Sequence, residues 1–151
     1  MSERLRVLFV GENPVDSSIY SHFRSCLERE GCRPVVSINT EGAARTLLFS
    51  SAVDAILIHY DNICAGSTIA SGLKLISPHI PVLLISGQWP DKGMFPCGVD
   101  AICYARILSS RAAHDIAMFL SHFLVKQSQK LVEEPSPEDR RFVPRKPVYL
   151  N

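Results

Sequence analysis

Five short apolar runs alternate along this sequence with segments whose apolar residues recur at helical spacing. Each run is rich in Val, Ile, Leu or Ala rather than alternating with polar residues, which predicts strands that are covered on both faces. Strands that alternate with helices indicate a parallel sheet, because parallel neighbours need a crossover connection. The predicted strands are residues 6–10, 34–38, 53–59, 82–86 and 101–105. The pattern predicts an α/β fold in three layers, with helices on both faces of a five-stranded parallel sheet.

The segments between the runs predict the helices. The first helix is marked by an apolar stripe of Ile19, Phe23 and Leu27. Gly31 follows this stripe as the expected C-cap. Thr40 is a suitable N-cap for a second helix, and a third is expected over residues 65–76. The window GQWPDKGMFPCG before the fifth strand contains prolines and glycines, so at most a turn or two of helix is expected there.

The last predicted helix runs from about residue 109 to residue 134. Roughly 26 residues at 1.5 Å each give about 39 Å, which is longer than a five-stranded sheet needs. Its first half carries an apolar stripe suited to the sheet, and its second half carries another stripe with nothing in the domain left to cover. The second stripe consists of Leu124, Val125, Ser128, Leu131 and Val132. Two interpretations stay open: an exposed extension, and a face for a homodimer or another protein partner.

The composition changes at residue 135, where a segment with four prolines and several basic residues begins. Such a segment cannot bury a core of its own, so we predict a domain over residues 1–134 and a tail or linker over residues 135–151. Its basic residues interleave with Phe142, Val143 and Tyr149, and could dock on an acidic groove, a membrane surface or nucleic acid. A solvated tail, or a linker to another segment, is the preferred interpretation.

Composition and the absence of motifs argue against several classes of protein. The formal net charge is +1, which gives the chain as a whole no electrostatic reason to bind nucleic acid. Five scattered cysteines lack the close-spaced pairs of a zinc site and are expected to be reduced. With no apolar run of about 18 residues, no membrane span is predicted and a cytoplasmic location is expected. The sequence has neither a serine nucleophile elbow nor a glycine-rich phosphate loop, and we expect no enzymatic activity.

Five motifs fall on the predicted strands in a characteristic order. They are VLFVGENP at the first strand, EREGCRPVVSINTEGAARTLL across the second, VDAILIHYD at the third, IPVLLISG at the fourth and CGVDAICYARI at the fifth. Their order and spacing, over residues 4–124, resemble the receiver domains of two-component response regulators. The resemblance implies a flavodoxin-like (βα)5 fold. It also implies a phosphoryl transfer onto an aspartate at the carboxyl ends of the strands.

The resemblance also assigns the positions of the phosphorylation site. In receivers an acidic pair after the first strand holds magnesium, and here the pair falls on Gly11 and Glu12. The phosphorylated aspartate falls on His59. The hydroxyl that ends the fourth strand is supplied by Ser86, and the lysine of the fifth strand falls on Ala105. The site is therefore degenerate, since only one carboxylate of the acidic pair and the hydroxyl remain.

These departures remove the acceptor, most of the metal site and the cation from a reaction that depends on positioning and electrostatics. One remaining carboxylate would hold magnesium weakly or not at all, and no other cofactor is indicated. We predict a pseudo-receiver, meaning a receiver-like domain without ordinary aspartyl phosphorylation.

Four alternatives stay open at the same strand ends. Asp61, two residues beyond His59, could accept the phosphoryl group instead. His59 could be phosphorylated itself, or could bind a transition metal together with Glu12 and Asp61. Arg106, which stands where receivers have a proline, could occupy the lysine's space and pair with Glu12. The fourth alternative is a small-ligand pocket around Gly11, Ser86 and Gly87.

The predicted function is phosphorylation-independent contact with a protein partner in bacterial signal transduction or gene regulation. The sequence does not identify that partner. The surfaces expected to make the contact are the loop after the fourth strand, the fifth strand and the last helix. Their residues are Trp89, Phe95, Tyr104, Arg106, Leu124, Val125, Leu131 and Val132.

Overall fold

The computed structural model describes residues 5–11, 17–37, 40–49, 53–88, 95–129 and 142–144. The elements are β1 (Leu5–Gly11), α1 (Ser17–Arg29), β2 (Cys32–Ser37), α2 (Thr40–Phe49), β3 (Ala55–His59), α3 (Ile63–Ile76), β4 (Val82–Ser86), β5 (Ala101–Tyr104), α4 (Ser110–Gln129) and β6 (Phe142–Pro144). The five predicted strands and the α/β fold are confirmed. Of the window in which a turn or two of helix was expected, residues 89–94 lie outside the described residues.

One six-stranded sheet organises the fold, with the strand order β2-β1-β3-β4-β5-β6. Strands β1 to β5 are parallel, and their order is that of a flavodoxin-like sheet. The sixth strand, β6, pairs antiparallel with the outer edge of β5. It comes from the segment predicted as a tail or linker, whose proline-rich composition carries no strand signal. A parallel five-stranded sheet is therefore extended by one short antiparallel strand.

Both faces of the sheet are buried, as the continuous apolar strands predict. Along β1, Val7 and Phe9 pack with α1 and α4 on one face, while Leu8 and Val10 pack with α2 and α3 on the other. All four side chains are at most 1% exposed. Side chains alternate between the faces of a strand, so one continuous apolar run supplies both core layers. The carboxyl ends of the strands are therefore supported by a core that is packed on both faces of the sheet.

The loop before β5 is fastened to α3 by a close backbone contact. The hydroxyls of Ser67 and Ser71 both donate to the carbonyl oxygen of Cys97, at 2.8 and 3.2 Å. The next residue, Gly98, has a φ of 78°, and a Cβ there would lie 2.6 Å from the backbone nitrogen of Ser71. Both the backbone conformation and the close approach require glycine. This contact fixes where β5 begins, and hence where its carboxyl end lies.

Three of the five cysteines are buried, namely Cys26, Cys32 and Cys103, whereas Cys64 and Cys97 are exposed. None of the five, all of which the structure describes, forms a disulfide bond. Burial, with a smaller contribution from the carboxylate of Glu30, raises the pKa of Cys32 from 9.0 to about 11. A thiol with so high a pKa is nearly all protonated at neutral pH, and it is a poor nucleophile.

We expect Cys32 to make the fold less stable as the pH rises from about 9 to about 11. The unfolded chain loses this proton near 9.0 while the folded chain keeps it up to about 11, so deprotonation favours unfolding in that interval. The loss should reach about 2 kcal/mol near the upper end. Urea unfolding of the wild type and of Cys32→Ala, at about pH 8 and about pH 10.5, measures it. Equal losses in the two proteins would contradict the expectation.

Candidate functional site

The carboxyl ends of β1, β3, β4 and β5 meet at one edge of the sheet. Gly11 pairs with His59 in the ladder between β1 and β3. Ser86 ends β4, and its carbonyl oxygen accepts a hydrogen bond at 2.9 Å from the backbone nitrogen of Ala105. Of the five positions that the receiver resemblance assigns, the structure brings these four to one place. The fifth, Glu12, lies outside the described residues.

His59 is held by a tyrosine that the sequence interpretation missed. Tyr20 projects from α1 and is only 5% exposed. Its hydroxyl lies 3.3 Å from Nδ1 of His59, and the two rings meet edge to face with centroids 5.8 Å apart. The same tyrosine ring packs on Phe9, at 5.2 Å. His59, at the end of β3, is therefore hydrogen-bonded to a buried residue at the edge of the core.

The ring of Tyr20 occupies the space above Gly11. A Cβ at position 11 would lie 2.6 Å from two of its ring carbons and 2.9 Å from its hydroxyl oxygen. Glycine is required here because the ring approaches the backbone closely, not because of an unusual φ. Any carboxylate side chain at position 11, where receivers carry one of their acidic pair, would collide with this ring.

Ser86 keeps the hydroxyl that the resemblance assigns, but its hydrogen bonds are made within the protein. The residue is fully buried, and its Oγ donates to the carbonyl oxygen of Asp61 at 2.9 Å. The same oxygen accepts a hydrogen bond at 3.1 Å from the backbone nitrogen of Gln88. The Gln88 side chain in turn accepts at 3.3 Å from the backbone nitrogen of Ile63, at the start of α3. Ser86 therefore ties the β3–α3 loop to the end of β4.

Asp61 and Arg106 both lie close to Gly87. A Cβ built on Gly87 would lie 3.3 Å from Oδ1 of Asp61 and 3.9 Å from Cα of Arg106. Both side chains belong to exposed residues. Nε of Arg106 donates to the hydroxyl of Tyr104 at 3.0 Å. Pairing of this arginine with Glu12 stays a prediction, because Glu12 is not among the described residues.

The remaining site predictions concern a metal site and a small-ligand pocket. Among the residues that the structure describes, no group of three His, Cys, Asp or Glu side chains is placed to hold a metal ion. The predicted set of His59, Asp61 and Glu12 includes a residue outside that part of the chain. Gly11 and Ser86, two members of the predicted ligand pocket, are buried, and Gly87 is half-buried.

Only half of the predicted interaction surface can be placed. Phe95 is half-buried and packs against the core between the sheet and α2 and α3. Tyr104 and Leu124 are half-buried, and Arg106 is exposed. Val125 lies in α4, but its side chain is outside the described part. Trp89, Leu131 and Val132 lie outside the described residues altogether.

Comparisons with known proteins bear on the fold. No protein-family model matches the sequence, and no curated protein matches it. Among solved structures, a CheY-like response regulator receiver domain protein from Methanospirillum hungatei JF-1 has a TM-score of 0.65 and 15% identity, over 85% of this chain and 99% of that one. An orphan response regulator of H. pylori has a TM-score of 0.61 and 18% identity, over 81% and 98%.

A third similar structure comes from a protein described by a different role. A putative pilus assembly-related protein from Burkholderia pseudomallei K96243 has a TM-score of 0.62 and 15% identity, over 81% of this chain and 92% of that one. Together these likenesses show that the chain has the fold of response regulator receivers. No helix in the described ranges has the length and apolar character needed to cross a membrane.

Proposed function

We propose that this chain is a receiver-like signalling module that acts by protein contact and has no aspartyl phosphorylation switch. One observation carries the proposal: the ring of Tyr20 lies over Gly11 and its hydroxyl bonds His59, at the two positions where receivers have a metal-binding carboxylate and the phosphoacceptor. The ring of Tyr20 thus stands where a side chain at position 11 would project, next to the acceptor position.

The chemistry of the neighbouring positions supports the same proposal. Phosphoryl transfer depends on placing charged groups around the transferred phosphoryl and neutralising its oxygens. Here the acceptor position carries an imidazole that is bonded to a tyrosine, and the lysine position carries Ala105. Arg106, a cation near these positions in the described part of the chain, donates to Tyr104 from an exposed position. The fold is that of a receiver, and its function would lie in contact surfaces in bacterial signalling or regulation.

Amide NMR tests the proposal on the full chain, with magnesium added first and beryllofluoride second as a mimic of an acyl phosphate. We expect no saturable shift at His59, Asp61, Ser86 or Ala105 at millimolar concentrations, because the acceptor position carries a histidine and the lysine position carries an alanine. A receiver that binds beryllofluoride serves as the reagent control. Saturable shifts centred on these four residues would overturn the proposal.

A second candidate is a receiver phosphorylated at Asp61, and one observation favours it. The Asp61 carboxylate lies at the strand ends beside Gly87, and the backbone of Arg106 is also close to this glycine. The matched variant is Asp61→Asn, which keeps the size of the side chain and removes its charge. Shifts that occur in the wild type and vanish in Asp61→Asn would establish this candidate in place of the first.

A further inference from the structure

The outer edge of β5 is the place where the sheet accepts an additional strand. The inner edge of β5 pairs with β4, and the outer edge pairs antiparallel with Phe142–Pro144. The register joins Ala101 to Pro144, Ile102 to Val143 and Cys103 to Phe142. Without β6 the edge would present unpaired backbone N–H and C=O groups, which readily pair with another extended segment.

The strand on this edge is short and contains a proline. β6 has three residues, and Pro144 has no backbone N–H to donate. In an antiparallel ladder, pairs of opposite residues that exchange two N–H···O=C hydrogen bonds (exchanging pairs) alternate with pairs that are not hydrogen-bonded to each other. Both residues of an exchanging pair donate an N–H, so Pro144 cannot belong to one. The exchanging pair of this ladder is therefore formed by Ile102 and Val143. The three residues of β6, one of them a proline, therefore offer the edge of β5 a short ladder of their own.

The connection to β6 is longer than the distance between its two ends. Twelve residues, 130–141, join the end of α4 to Phe142. α4 is about 30 Å long, and it starts at the carboxyl end of β5, where Cys103 pairs with Phe142. The two ends of the connection are therefore about 30 Å apart. Twelve residues span at most about 43 Å, which exceeds this distance.

The edge strand favours an apolar, extended segment. Ala101, Ile102 and Cys103 are at most 2% exposed in the presence of β6. The segment seated there has the sequence Phe-Val-Pro with arginines on both sides. Main-chain bonds would give such an addition its affinity, and the side chains on alternate positions would give it specificity.

We propose that the outer edge of β5 is a strand-addition site for an extended apolar segment of a protein partner. In this proposal residues 142–144 occupy the site as an intramolecular competitor. The proposal deepens the proposed function, on which it rests, by naming the surface through which a protein contact is made. A tethered segment competes at an effective concentration of order millimolar, so a partner must displace it. The partner's apparent affinity is its intrinsic affinity multiplied by the fraction of chains whose β5 edge is uncovered.

The first test uses a synthetic peptide of residues 140–146, RRFVPRK, as the probe and amide NMR of the full chain as the readout. Val143→Pro removes the N–H of the exchanging pair and should release the cover. We expect saturable shifts at Ala101–Tyr104 in this variant, with an affinity at least roughly threefold higher than in the wild type. Val148→Pro, the same substitution outside β6, should behave as the wild type does.

Two results would overturn this proposal. One is that the peptide fails to shift Ala101–Tyr104 in the Val143→Pro variant, which would mean that the edge does not accept a second segment. The other is equal affinity in Val143→Pro and the wild type, which would mean that the tail does not compete. Neither result depends on phosphate or magnesium, and the beryllofluoride titration reports on His59 and Ser86 instead. Failure here is therefore distinguishable from failure of the proposed function.

A disulfide tether provides an independent test. Phe142→Cys places a thiol opposite the native Cys103, and Cys64→Ser with Cys97→Ser removes the two exposed thiols that could compete. After oxidation we expect an intramolecular disulfide at the mass of one chain, and loss of peptide binding. A disulfide between two chains would instead show strand exchange between copies and would overturn the intramolecular competitor. Absence of any disulfide between positions 103 and 142 would contradict the pairing itself.

Discussion

A Gly98→Ala variant is expected to lose about 3 kcal/mol of unfolding free energy. Two effects add at this position. The φ of 78° is strained for any residue with a Cβ, and the new methyl group would lie 2.6 Å from a backbone nitrogen of α3 that has no room to move. Relief would require the β4–β5 loop to leave α3, which would break the hydrogen bonds of Ser67 and Ser71 to Cys97. Urea unfolding measures the loss.

Substitutions at two other glycines separate the effect of the positive φ from the effect of the close contact. Gly31 has a φ of 90° but nothing within 4 Å of its added Cβ, so Gly31→Ala should lose only about 1 kcal/mol. Gly72 lies in α3 with open space around it, and Gly72→Ala should gain up to about 1 kcal/mol through helix propensity. A Gly98→Ala loss no larger than that of Gly31→Ala would show that the contact with α3 is not tight.

The second large effect is expected where Tyr20 covers the end of β1. Gly11→Ala should lose about 2 to 3 kcal/mol in the wild type, because the new methyl group overlaps the tyrosine ring. With Tyr20→Leu, which keeps an apolar side chain but removes the far atoms of the ring, the same change should be neutral or stabilising by up to about 1 kcal/mol. The double-mutant cycle therefore predicts a coupling of about 2 kcal/mol or more between these positions.

Tyr20→Phe is the matched control for this cycle. It keeps the ring carbons that a methyl group at position 11 would meet, and it removes only the hydroxyl that bonds His59. The single variant Tyr20→Phe should have an unfolding free energy about 1 kcal/mol lower than the wild type, because this is the typical net contribution of one hydrogen bond. In its background Gly11→Ala should remain destabilising. Additive losses in the Tyr20→Leu background would mean that the ring is not what excludes a side chain from position 11.

This cycle also bears on function. If the ring and position 11 exclude one another, a carboxylate cannot be restored at position 11 while Tyr20 is present. A receiver-like metal site would then require changes on α1 as well as at the strand ends. The proposed lack of a phosphorylation switch would then rest on the packing of α1 against β1 and β3 as well as on His59 at the acceptor position.

Much of this architecture is predictable from local pattern. Continuous apolar runs indicated strands that are buried on both faces, and the motif at the third strand located His59 at the carboxyl end of β3. The stripe predicted for the first helix is confirmed at Phe23 and Leu27, and the side chain of Ile19 lies outside the described part of the chain. The core of α1 also includes Tyr20, which the same helical period fits together with Phe23 and Leu27, so the signal for this tyrosine was present in the sequence.

The sequence alone determined the α/β class and the five parallel strands, because periodicity of burial is a local property, and residue identity predicted the departures at the acceptor, metal and lysine positions. Only the tertiary structure decided that Tyr20 fills the space over Gly11 and bonds His59, a residue 39 positions away. It also decided that Phe142–Pro144 forms a sixth strand. Both depend on how distant segments are placed against one another, and a strand of three residues with a proline has no periodicity that could reveal its partner.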